Sequence, residues 1–174
     1  MCRQTAGYGG VNITSRKLAA GILIMIGGAL AAAAAFLPWM EESFIETLTG
    51  SVTFSQTYTG LDFLGDDFSD FDAYQKFLPA VQAAVGVIVV LLGLATAAAG
   101  RASRSCAVAA AVLGLVGLLL VGMFSTWDVY GETTVLIVRE MVDYGWATYL
   151  ALGGHALTLI AGAAGAYIGR TERP

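Results

Sequence analysis

Along most of this chain apolar residues do not alternate with polar ones; they run in four long blocks. Residues 18–40, 77–100, 105–127 and 144–169 contain no Asp, Glu, Lys or Arg. Each block exceeds the ~20 residues a helix needs to cross a hydrocarbon core of about 30 Å. A helix satisfies its backbone hydrogen bonds within one segment, which lipid demands. The pattern therefore predicts an all-α membrane protein, a bundle of four transmembrane helices. The first block is too long for the apolar region of a cleaved signal peptide, ~7–15 residues, so it is expected to stay as a span.

Between the blocks the pattern changes period. In the 41–76 segment, Val52, Phe54 and Tyr58 alternate with Thr53, Ser55, Thr57 and Thr59, which is the period of a half-buried strand. The 44–48 run is also strand-compatible, and Gly50 between the two runs predicts a β-hairpin through 49–51. An acidic, aromatic stretch follows over 60–71. The 128–143 segment contains a β-branched run at 133–138, which predicts a strand in preference to a short amphipathic helix over 135–143. Such a strand is expected to pair with, or pack on, 52–58, because a lone hairpin is only marginally stable. The two segments together are expected to form a small extracytoplasmic β-containing domain.

Charge orients this layout. Seven of the nine Lys and Arg residues lie in the 1–17 tail, the 101–104 link and the 170–174 tail, and only Lys76 and Arg139 lie in the two longer loops. Basic residues stay on the cytoplasmic side, so both termini are expected inside a plasma membrane and loops 41–76 and 128–143 outside. Twelve of the thirteen acidic residues fall in those outer loops, which divides the net charge of −4 into +6 inside and −10 outside. Trp39, Trp127 and Trp146 fall at the expected outer helix ends, where indole rings anchor at headgroups.

Few residues suggest chemistry. His155 is the single histidine and lies deep within the fourth block. Intramembrane ionisable groups are functional candidates, but no carboxylate shares its depth, and a neutral imidazole bonded to a backbone carbonyl near Gly153 and Gly154 is the simpler expectation. Asp66, Asp67, Asp70 and Asp72 resemble a calcium cluster in composition, yet lack the spacing of a calcium-binding loop, so no metal is expected. Ala161, Gly165 and Gly169, with Gly154, Thr158 and Gly162 on a neighbouring stripe, allow close helix packing. Cys2 and Cys106 are expected to be reduced thiols on the inner side. No phosphate loop, zinc motif or nucleophile–base pattern is found, so neither enzyme activity nor a cofactor is expected, and the short basic tails suit lipid headgroups rather than nucleic acid.

The Phe36-Leu37-Pro38-Trp39 helix end, followed by Gly60-Leu61-Asp62, resembles a pattern in small prokaryotic four-span proteins; that resemblance implies the four-span fold and carries no activity. The layout is also similar to the claudin superfamily, with a long first outer loop bearing strands. The claudin loop cysteines and Gly-Leu-Trp element are missing here, so only architecture follows. The expected function is that of a non-catalytic membrane protein acting through its acidic outer domain and small-residue helix faces. It would bind another envelope protein or a second copy, as a partner-binding, accessory or structural subunit. The alternative is a small transporter or channel component that uses His155.

Overall fold

The computed structural model describes residues 13–46, 48–65, 73–98, 103–126, 133–135 and 138–170. Four helices, α1 (Ile13–Ala34), α2 (Ala73–Ala97), α3 (Ser103–Thr126) and α4 (Trp146–Ile168), are each long and apolar enough to cross a membrane. They form a ring in which α1 packs on α2 and α4, and α3 on α4 and α2, while the diagonal pairs barely touch. Residue size sorts between inside and outside. Ala20, Ala31, Ala34, Ala107, Ala110, Ala147, Ala151 and Ala161 are buried, whereas Leu18, Leu23, Leu91, Leu94, Leu115 and Leu119 face outward. Small residues inside let helix backbones approach closely.

One end of the bundle carries an antiparallel sheet of order β2-β1-β4-β3, with β1 at Pro38–Glu46, β2 at Val52–Thr59, β3 at Thr133–Val135 and β4 at Val138–Tyr144. The expected hairpin is present as β1–β2, closed by the Gly50 N–H donating to the Glu46 carbonyl at 2.8 Å and the Glu46 N–H to the Ser51 carbonyl at 2.9 Å. Gly50 has φ of 67°, the left-handed conformation that glycine adopts without a Cβ penalty.

Four expectations are corrected. Helix one ends at Ala34 rather than continuing to 40: Ala35, Phe36 and Leu37 donate to carbonyls three residues back, and Pro38, which has no N–H and restricts Leu37, starts β1. Helix two starts at Ala73 rather than at the edge of the apolar block at 77, which puts Pro79 inside α2. The 133–138 run is not one strand, nor is 135–143 a helix; β3 stops at Val135 and β4 runs from Val138 into α4. Finally, 52–58 and 133–138 do not pair. β4 takes the place beside β1, with Met40 opposite Tyr144 and Glu46 opposite Val138, leaving β2 and β3 on opposite edges. The cause is chain geometry: α1 and α4 are neighbours, so the strand that leads out of one and the strand that leads into the other meet first. The Gly145 N–H donates to the Trp39 carbonyl at 2.8 Å, and a Cβ at Gly145 would overlap the Pro38 carbonyl.

Candidate functional site

Two features stand apart from ordinary packing: a polar layer within the bundle and the open side of the sheet. His155 and Gln82 are each nine residues from the first residue of their helices, and both are fully buried. At 1.5 Å per residue they lie at one depth, about 13 Å from the sheet end. His155 Nε2 and Gln82 Oε1 are hydrogen-bonded across the bundle diagonal. The ring Nε2–H therefore donates to the amide oxygen, which leaves Nδ1 as the acceptor nitrogen. His155 thus bonds a side chain on another helix, not the expected backbone carbonyl.

The ring needs room, and α3 supplies it. A Cβ at Gly117 would overlap His155 Cε1 and Nδ1. His155 Nδ1, Gln82 Nε2 and Thr148 Oγ1 are buried with no hydrogen-bond partner among the described residues. A neutral imidazole and an amide orient one another here, and the lone pair of Nδ1 is the basic site of the pair. The small residues of α4 occur at its helix contacts. A Cβ at Gly154 would sit 2.7 Å from the Gly27 carbonyl of α1, and one at Gly162 would sit 2.7 Å from Ala107 O of α3. Thr158 donates to Gly154 O at 2.9 Å. Ala161 is buried, and Gly165 and Gly169 face Ala107 and Arg104.

Trp39 is not a headgroup anchor. It is fully buried, donates from Nε1 to Ala34 O at 2.6 Å, and meets the Phe124 ring edge-on at 5.5 Å. It caps a carbonyl at the end of α1 and fills the space under the sheet with Phe63, Phe124 and Leu78. Gly60 fits against this indole, since a Cβ there would be 2.8 Å from Nε1 and 2.5 Å from Pro79 Cβ. Asp62 closes the same turn, accepting from Thr59.N at 2.7 Å and from Thr59 Oγ1 at 2.8 Å. Phe36-Leu37-Pro38-Trp39 and Gly60-Leu61-Asp62 are thus two sides of one contact. Trp146 is half exposed. Trp127, Cys2 and the cluster Asp66, Asp67, Asp70 and Asp72 lie outside the described residues. Among the described residues no group of His, Cys, Asp and Glu is placed to hold a metal, and Cys106 is a free, half-buried thiol.

The sheet offers a different surface. Residues 52–57 of β2 are exposed on both faces, and the strand is an edge among the described residues. Val52 and Phe54 are more than half exposed, with Phe54 tilted on Phe44 at 5.9 Å. On the opposite face Glu41 stands between Thr57 of β2 and Asp143 of β4. Neither carboxylate has an ion-pair partner among the described residues, although like charges directly opposite each other destabilise a sheet. An apolar block that begins at 77 leaves Gln82 near the end of its helix, whereas α2 begins at Ala73; Gly117 and the Glu41–Asp143 pair are likewise not anticipated from the sequence. No protein-family model matches the chain, and no curated protein matches it.

Proposed function

We propose that this chain is a non-catalytic integral membrane protein with both termini in the cytoplasm, which binds a partner through the acidic sheet domain on its outer side. The membrane reading is supported by the bundle's size sorting, large aliphatic residues outward and alanine inward, which is unfavourable in water and natural in lipid. Orientation follows from the bias of seven basic residues to the side of the tails and the 101–104 link.

The observation that carries the partner-binding reading is β2, whose residues 52–57 are exposed on both faces beside half-buried residues 42–46 of β1. Open edge strands are a liability that proteins usually block with charge, proline or cover, and among the described residues 52–57 of β2 carry none of these. The test replaces residues 45–53 by a short Gly-Ser turn and compares complex size after mild detergent extraction. The expected result is normal insertion with loss of the larger complex; an unchanged complex would overturn the reading.

A transporter or channel role is the second reading, because His155 and Gln82 place polar atoms on the bundle axis. The ring fills the space left by Gly117, however, so the axis at this depth is packed rather than open. Proton or solute flux in liposomes that disappears with His155→Gln would put this reading first.

A further inference from the structure

We propose that the open edge of β2 accepts an extended, positively charged segment of a partner protein as an added strand of the sheet. This rests on the partner-binding reading above and names the occupant and its mode of binding. Strand addition needs an accessible edge, and β2 supplies six exposed residues, 52–57, without proline or charge.

The chemistry of the occupant follows from the two faces beside that edge. On one face, Glu41 and Asp143 lie directly opposite each other on β1 and β4, with the smaller side chains of Thr57 and Ser55 between Glu41 and the edge. Strands are about 4.8 Å apart, so a lysine or arginine on an added strand reaches over Thr57 to Glu41. On the other face, Phe54 lies against Phe44 at 5.9 Å and carries an apolar surface out to the edge, while the bulge between Phe44 and Ile45 sets Val52 opposite Ile45. The strand that fits alternates basic residues with β-branched or aromatic ones. The wider field agrees, since the two outer loops carry a formal charge of −10. A second copy brings the same net-acidic loops, with only Lys76 and Arg139 as cations and none on its β2, so it is repelled at long range.

The experiment uses the full chain in nanodiscs, panned with a phage-displayed library of random decapeptides and counter-selected on empty nanodiscs. Enriched sequences are expected to alternate Lys or Arg with Val, Ile, Phe or Tyr. Their synthetic forms are expected to slow amide exchange across Val52–Thr59. Paired Ser55→Lys and Thr57→Lys substitutions, both at exposed positions, are expected to weaken binding about tenfold, and molar salt to weaken it likewise. Thr57→Glu is expected to strengthen it. The proposal is overturned by failure to enrich any peptide, by enriched peptides without basic residues, or by binding indifferent to the lysine pair. A dimer in sedimentation that the lysine pair dissolves would assign the edge to a second copy instead. The hairpin replacement described above tests the parent reading separately: loss of the complex there, with no basic peptide here, retains partner binding and rejects only this occupant.

Discussion

At the scale of single residues, the His155–Gln82 bond is the feature with the clearest energetic consequence. Truncating one member leaves the other as a buried polar group without a partner. His155→Leu or Gln82→Leu is therefore expected to cost about 1–3 kcal/mol, while the double leucine variant recovers most of the loss. A double-mutant cycle by denaturant titration in micelles checks this, and additive single effects would show that the two side chains act independently. His155→Gln keeps an amide facing Gln82 and is expected to be the mildest replacement. Gly117→Ala puts a methyl group into the imidazole ring and is expected to destabilise by about 1–3 kcal/mol, with relief in the His155→Leu background if the ring is the obstacle. The depth of His155 was legible from its position after Trp146, whereas that of Gln82 was not. The polar stretch Tyr74-Gln75-Lys76 reads as loop, so α2 was expected to begin at 77 when it begins at Ala73. That shift of one helical turn brings Gln82 level with the histidine.

Among the elements, the helices were the legible part, because an uninterrupted apolar run admits only one way of satisfying its backbone in lipid. Their ends were less so. Trp39 follows an apolar run and looks like its last residue, yet Pro38 has already turned the chain into β1, and burial of the indole under the sheet depends on contacts with Phe63 and Phe124 that lie far along the chain. The β1–β2 hairpin could be read from alternation and Gly50. Which strand joins it could not, since β4 carries Arg139, Glu140 and Asp143 and alternates poorly; its place is fixed by the junction with α4. Gly50→Ala forces an alanine into a left-handed conformation with open space around it, so its cost is purely conformational, about 1–2 kcal/mol. Gly50→Asn is expected to cost less, because asparagine tolerates that region better. Thermal unfolding of the pair separates the two, and equal loss would point to a role for the glycine beyond its φ.

For the whole molecule, orientation is the property to test first. With Cys2 and Cys106 replaced by serine, a cysteine at Ser55 is expected to react with an impermeant maleimide on intact cells, and one at exposed Ser105 only after lysis. Reaction at Ser105 alone reverses the proposed topology. One feature of the sheet also bears on how such a chain is made. β1 is paired on one side by β2, which follows it immediately, and on the other by β4, which arrives only after α2 and α3 have been synthesised. A nascent chain that has just completed β2 therefore holds both edges of a two-stranded ribbon unpaired while two further spans are inserted. Ribosome-arrested chains ending after residue 126 are expected to be captured by strand-binding chaperones or to aggregate through β1, and chains extended through residue 146 to escape. The second edge of β1 is thus closed late, by the strand that leads directly into α4, so completion of the sheet and arrival of the last helix are neighbouring steps.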